Sequence, residues 1–222
     1  MTPADAVVFD LDGVLVDSEQ RWTAAREGLT RDRGGTWTDD APRAMMGMSS
    51  PEWSAYLRDE LGVPMSADAI NDDVVERMEA GYRDAVPLLP GAVDAVRRLQ
   101  GRWPLGLASS ANRQLIDLVL EESGLSDAFA VTLSSEEVER GKPAPDVYLE
   151  AARRLGVDPV HAVAIEDSTN GLWSAHAAGL TVIAVPNEAF PPDPDALALA
   201  EVVVRTVGDV TPELVQQAAG AR

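Results

Sequence analysis

Four carboxylates, two hydroxyls and one ammonium in this chain are placed where chemistry could be done. Asp10 and Asp12 are two residues apart, Glu166 and Asp167 are adjacent, Ser109 and Ser110 form a pair, and Lys142 stands between Gly141 and Pro143. Carboxylates are hard oxygen ligands of the kind a small divalent cation takes. A lysine, with hydroxyls and N–H groups, can hold the oxygens of an anion. Taken singly, each has a plainer reading. A serine or aspartate in such a place is commonly a helix N-cap, and a lone lysine is commonly a solvated surface charge.

The segment that each group follows argues against the plainer reading. Short apolar runs rich in β-branched residues occur at Ala6–Phe9, Leu105–Ala108, Ala130–Leu133, Ala162–Ile165, Thr181–Val185 and Val202–Val204. They show little polar alternation, as strands buried on both faces should. Helical patterns lie between them, at Gly91–Gln100, Gln114–Glu122, Val147–Leu155 and Gly171–Ala178, and Gly124, Gly156 and Gly179 stand where C-terminal caps want a positive φ. Strand and helix in turn predict an α/β fold, a doubly wound parallel sheet with helices on both faces and Ala6–Phe9 near its centre. In such a sheet, ligands collect at the carboxyl ends of the strands. Asp10 and Asp12, Ser109 and Ser110, and Glu166 and Asp167 each follow a strand directly, with Lys142 on the loop after the third.

The first two strands are separated by residues 10–104, far more than one crossover helix needs. Residues 19–85 read as helix only, with candidates at Gln20–Arg33, Pro51–Leu61 and Ala67–Asp84, broken by Gly34-Gly35, Gly47 and Val63-Pro64. The expectation is a small helical domain over residues 19–85, inserted into a core of residues 1–18 and 86–222. Its hinges would fall near Val16–Ser18 and Val86–Gly91. A terminal helix is expected from Thr211, with Pro212 in its first turn.

Of the 222 residues, 45% are hydrophobic and 25% charged, ordinary values for a globular protein. Net charge is −19, from 37 acidic and 18 basic residues. Such a surface repels nucleic acid and anionic lipid, so neither is an expected partner. A small phosphorylated ligand would need a local patch of cations and N–H groups. Cysteine is absent, which excludes disulfides, zinc–cysteine sites and thiol chemistry and fits a reducing compartment. No apolar run is long enough to span a bilayer, and Met1 to Phe9 lacks the basic start of a signal peptide. The expected location is the cytoplasm.

Val8-Phe9-Asp10-Leu11-Asp12-Gly13-Val14-Leu15-Val16-Asp17-Ser18-Glu19 resembles the first motif of the haloacid dehalogenase superfamily, in its phosphatase and phosphomutase branch. Ala108-Ser109-Ser110 is similar to the second motif, Gly141-Lys142-Pro143-Ala144-Pro145-Asp146 to the third, and Ile165-Glu166-Asp167-Ser168 to the fourth. The similarity covers the whole chain, and the helical insertion lies where that family places its cap. The first and third motifs are the specific ones.

The resemblance implies a magnesium-dependent phosphatase acting on a small phosphorylated metabolite, a sugar phosphate or similar, through an aspartyl-phosphate. Phosphoryl transfer spreads charge over the equatorial oxygens, so its catalysis is mostly positioning and neutralisation. Asp10 is then the nucleophile, and Asp12 the general acid and base, swung towards the leaving oxygen by the turn at Gly13. Asp10, Asp167 and the Asp12 carbonyl would hold Mg²⁺, with Glu166 mainly holding a metal-bound water. Ser109, the Ser110 N–H and Lys142, in an exposed setting, would hold the other phosphate oxygens.

Relatives of the mutase type carry a histidine shortly after the first motif, a basic residue in the cap turn and a lysine in the last cap helix. Here those positions align with Trp22, Ser50 and Met78. A phosphosugar mutase is therefore the second reading, and a dehalogenase, which needs neither Asp12 nor a metal cluster, ranks below it. A non-catalytic phosphate-binding module would have lost one of Asp10, Asp12, Lys142 or Asp167, and none is lost. His161 and His176 have no partner at metal-ligand spacing and read as surface or packing residues; Trp37 and Trp53 read as the core of the insertion. Arg43 and the turn Gly47-Met48-Ser49-Ser50 are candidates for specificity.

Overall fold

Six short strands form one sheet: β1 (Ala6–Phe9), β2 (Leu105–Ser109), β3 (Val131–Ser134), β4 (Ala162–Glu166), β5 (Thr181–Ala184) and β6 (Val202–Val203). The computed structural model describes residues 4–45, 48–188 and 190–221. All strand pairs are parallel, in the order β3-β2-β1-β4-β5-β6. The chain leaves β1 to one side for β2 and β3, then crosses back to its other side for β4, β5 and β6. The order therefore reverses between β1 and β4, and the crevice at their carboxyl ends is the place such folds offer to ligands.

Each strand sends alternate side chains to opposite faces. Val7, Phe9, Val163 and Ile165 pack on one side with Val96 and Leu99. Val8, Ala162 and Ala164 pack on the other with Val147 and Leu172. Every residue of β1 and β4 is buried. That explains why both read as continuous apolar runs rather than alternating ones.

Between β1 and β2 the chain forms α1 (Glu19–Asp32), α2 (Ala41–Met45), α3 (Ser50–Asp59), α4 (Ala67–Asp84) and α5 (Ala92–Gln100). Among the described residues, 19–85 contain no strand. Leu29, Leu57, Ile70 and Val74 are fully buried where α1, α3 and α4 meet. Two of these helices start on their own serines: Ser66 accepts from Ala69 N at 3.2 Å, and Ser49 forms a reciprocal cap with Glu52. The two chain crossings lie side by side, since Asp17 N donates to the Pro87 carbonyl at 2.8 Å and Leu89 N to that of Leu15 at 2.9 Å. The five-residue α2 has no counterpart in the sequence reading; it is too short for a periodic pattern. The expected break at Gly47 lies outside the described residues.

The remaining helices are α6 (Arg113–Glu122), α7 (Asp146–Leu155), α8 (Thr169–Ala177), α9 (Pro194–Leu197) and α10 (Pro212–Ala219). Gly124, Gly156 and Gly179 all take positive φ at helix ends. The terminal helix begins as expected, with Thr211 accepting from Leu214 N at 3.2 Å and Pro212 in the first turn. α8 starts two residues before its expected Gly171, because Ser168 caps it by accepting from Gly171 N at 3.1 Å. No helix among the described residues is long and apolar enough to cross a membrane.

Candidate active site

The pairing of β1 with β4 continues one step past Phe9: Asp10 N donates to the Ile165 carbonyl at 3.0 Å. Asp10 is thereby set beside Glu166 and Asp167 at the switch point. One oxygen from each of these three lies within 4.8 Å of the others, a grouping that can hold a metal ion.

Two glycines make that proximity possible. Gly13 has φ +75°, and a Cβ there would fall 1.8 Å from Asp167 Oδ2. Gly171, in the first turn of α8, would put a Cβ 1.9 Å from Glu166 Oε2. Each glycine leaves room for a carboxylate that any side chain would displace.

Lys142 is the counter-charge. Its Nζ lies 2.6 Å from Glu166 Oε1, 3.0 Å from Asp10 Oδ1 and 3.0 Å from the Ala108 carbonyl. It also sits 5.1 Å from the Tyr148 ring centroid. The expectation of an exposed lysine is corrected here. The residue is 6% exposed, because two carboxylates and a carbonyl draw its ammonium under the sheet edge. Burial pulls its pKa down, but Asp10 and Glu166 outweigh that and hold it above the ordinary lysine value. Glu166 is fully buried and well occupied: Oε1 also accepts from Tyr148 OH at 2.6 Å, and Oε2 from Asp167 N at 3.1 Å.

One ammonium does not balance this cluster. Burial, then the Glu166 charge, pushes Asp10 up to about 8 despite Lys142. Burial, then Glu166 and Asp10, raises Asp167 well above the usual carboxylate range. Lys142 meets Asp10 Oδ1 as an ion pair at 3.0 Å, and that buried oxygen has no further donor among the described residues. A carboxylate oxygen in such an over-negative cluster fits a hard divalent cation.

Asp12 lies just before the turn at Gly13, in the wall of a cavity of about 790 Å³ that Asp10, Lys142 and Asp167 also line. Its Oδ1 accepts from the Ser18 hydroxyl and from Trp22 Nε1 at 3.4 Å. Burial raises its pKa, and these two donors partly oppose the rise.

Ser110 lines the cavity, but the described lining does not include Ser109. The Ser109 side chain is fully buried, and its hydroxyl accepts from Ala111 N at 3.0 Å. Of the specificity candidates, Arg43, Met48 and Ser50 are at the cavity wall, Ser49 is not in its lining, and Gly47 lies outside the described residues. Trp22 and Ser50 line the cavity and Met78 does not; it is buried among the helices of the insertion. His176 is exposed and His161 pairs with Asp5 at 3.2 Å, both remote from the cavity lining. Trp37 is half-buried against the core, as expected. Trp53 is core, as expected, but also cavity wall, with its ring centroid 6.0 Å from that of Trp22.

Sequence reasoning missed Tyr148, Ser18, Glu19 and Arg26. Arg26 follows Trp22 by one helical turn, so a shared face was legible. Nothing local pointed to Tyr148, which reaches Glu166 only through the packing of α7 under the sheet.

An open α/β sheet with a carboxylate cluster, a buried lysine and a cavity at its switch point is the framework of an enzyme for small anionic ligands. The family model for haloacid dehalogenase-like hydrolases matches residues 4–179, and the chain belongs to that family. It is similar to hexitol phosphatase B of Escherichia coli K12, 32% identical over 212 residues, which are 93% of this chain and 94% of the relative. It is 30% identical over 209 residues to the bifunctional riboflavin kinase/FMN phosphatase of Arabidopsis thaliana, covering 93% of this chain but only 54% of that protein. The crystal structure of CbbY from Rhodobacter sphaeroides in complex with phosphate superposes with a TM-score of 0.86 at 26% identity, over 96% of this chain and 99% of the other. The chain is an enzyme of the family's phosphatase group, the phosphoric monoester hydrolases.

Proposed function

We propose that the protein hydrolyses the phosphomonoester of a small metabolite in two steps, by way of an aspartyl-phosphate, the mixed anhydride of phosphate with the Asp10 carboxylate. The observation that carries this reading is Asp10 itself: a buried carboxylate at the switch point, with Lys142 3.0 Å from one oxygen and Asp12 beside it across one residue. Asp10 attacks phosphorus as the alcohol leaves. Asp12, whose pKa burial raises, gives the alcohol its proton and then takes one from the water that attacks phosphorus, which releases inorganic phosphate and returns Asp10 as a carboxylate. Ser18 and Trp22 fix the Asp12 carboxyl for both transfers. Lys142 and the N–H group of Ser110 hold the spectator oxygens. Ser109 contributes by shaping that turn, and Glu166 by orienting Lys142.

Asp10, Asp167 and the Asp12 carbonyl would hold Mg²⁺, with Glu166 next to them. When bound, the ion neutralises charge between the carboxylate and the phosphate. Residues 19–85 act as the cap that covers the bound ester and excludes bulk water, pivoting on the paired crossings at Asp17–Pro87 and Leu15–Leu89.

Water is the acceptor in this reading, and a phosphosugar is not. At the three positions where mutase relatives carry polar groups, Trp22 and Ser50 bring no charge and Met78 does not reach the cavity, whose described lining has Arg26 and Arg43 as its cations besides Lys142.

The test is a panel of phosphomonoesters with purified protein and Mg²⁺, followed by release of inorganic phosphate. Turnover of at least one ester, lost in excess chelator, is expected. Transfer of phosphate to a sugar phosphate in place of release, or no turnover on any ester, would overturn the reading.

A further inference from the structure

Asn112 stands at the start of α6, where an asparagine side chain ordinarily accepts from the helix's own first N–H groups. It makes no such bond. Glu136, just after β3, caps the helix instead, its Oε2 accepting from Arg113 N at 3.1 Å. The other Glu136 oxygen accepts from Asn112 Nδ2 at 2.6 Å. A carboxylate takes only donors, so this bond fixes which way the Asn112 amide faces. The cap of α6 therefore does not account for an asparagine at this place.

The amide freed in this way reaches the helical insertion at two points. Its Oδ1 accepts from the Ser50 hydroxyl, at the start of α3, at 3.3 Å. Its Nδ2 also donates to Asn71 Oδ1, on α4, at 3.2 Å. Asn71 turns its own Nδ2 towards Asp72, at 3.5 Å, which leaves its oxygen for Asn112. Both hydrogens and the oxygen of an amide only 3% exposed are thus in use, two of the three bonds across the boundary between core and insertion. On the core side the amide is tied to the turn that carries Ser110. The Ser134 hydroxyl donates to the Ala111 carbonyl at 2.7 Å and accepts from Glu136 N at 3.1 Å. Ser50 and Trp53 of α3 and Ser110 and Ala111 of the turn line the same cavity. The bonds to Ser50 and Asn71 join neutral groups, and water replaces such bonds at little net cost, so they can break and re-form in each turnover.

We infer that Asn112 is a positioning residue, a latch that holds residues 19–85 shut against the turn carrying Ser110 and so keeps the α3 wall of the cavity in register with that turn. This rests on the reading of residues 19–85 as a cap, and it holds whichever ester is the substrate. Loss of the latch frees the cap to pivot on the paired crossings at Asp17–Pro87 and Leu15–Leu89.

The chain has no cysteine, so spin labels can be attached at Asp68→Cys and Gln114→Cys with no native thiol to compete. Both residues are exposed, one on α4 and one on α6, and they flank the latch. Dipolar coupling between the labels then reads the separation of cap and core without any ester. With the latch intact, one short separation should dominate. Asn71→Ala should raise the ratio of open to closed protein about three- to tenfold, the scale of one hydrogen bond, and Asn112→Ala at least as much. Adding Asn71→Ala to Asn112→Ala should change nothing further, because the shared bond is already gone. With a turned-over ester and Mg²⁺, KM should rise in proportion to the closed fraction lost. kcat should stay within about twofold, since bound ester and transition state both sit under a closed cap. Asn71 is half-buried on the cap, so its variant decides the matter even if Asn112→Ala does not fold. Ser50 is left in place because it lines the cavity itself. An intact latch with the labels mostly far apart, or wild-type separations in both variants, overturns the inference. So does opening in Asn112→Ala with none in Asn71→Ala, which would confine Asn112 to supporting the core turn. Hydrolysis of no ester would remove the phosphatase reading, while the label separations would still decide the latch.

Discussion

Asp10 is held in the folded protein at a pKa near 8, against 3.8 for the free side chain, with burial the largest cause. The folded state therefore binds this proton more tightly than the unfolded chain does, and stability falls as pH rises between those two values. Asp12 and Asp167 are displaced in the same direction. In excess chelator, the melting temperature should fall from about pH 4 to about pH 8, and Asp10→Asn should melt higher than wild type at pH 8. A variant that melts at or below wild type there would contradict the charge balance. For catalysis, Asp12→Ala should slow hydrolysis by roughly 10²–10⁴-fold, the range for loss of a general acid and base. An effect under tenfold would move that role to another group.

At the scale of elements, the site depends on how closely β4, α8 and the turn after β1 can approach. Gly171→Ala would drive a methyl into the Glu166 carboxylate and loosen its hold on Lys142. A loss of roughly 1–3 kcal/mol in stability is expected from such overpacking, with a fall in kcat, checked by denaturant unfolding and steady-state rates. A fully active, fully stable variant would show that Glu166 is not held this tightly.

Strands β1, β2, β4 and β5 were legible to within a residue or so because they are buried on both faces, as in Val163-Ala164-Ile165. Asp10, Asp12, Glu166 and Asp167 were legible because each follows such a run directly. The burial of Lys142 was not, since it depends on Glu166 and Tyr148, which reach it across the sheet. Arg26 was hidden for a similar reason: its cavity exists only once α1 and α3 bring Trp22 and Trp53 together. The short α2 carries too few residues for a period.

Over the whole molecule, a net charge of −19 opposes every anionic substrate at long range. With Mg²⁺ saturating, raising ionic strength from about 0.01 M to about 0.15 M should therefore lower KM, because the repulsion is screened within about 10 Å. A KM that rises with salt would mean that local cations dominate the approach. The central claim, however, is covalent. Wild-type protein should be mixed with a turned-over ester and Mg²⁺, quenched in acid within milliseconds, digested, and its peptides searched for phosphate by mass spectrometry. Phosphate on Asp10, and none on Asp10→Asn protein treated alike, is the predicted result. Phosphate on any other residue, or steady turnover with no phosphopeptide at any quench time, would contradict the account.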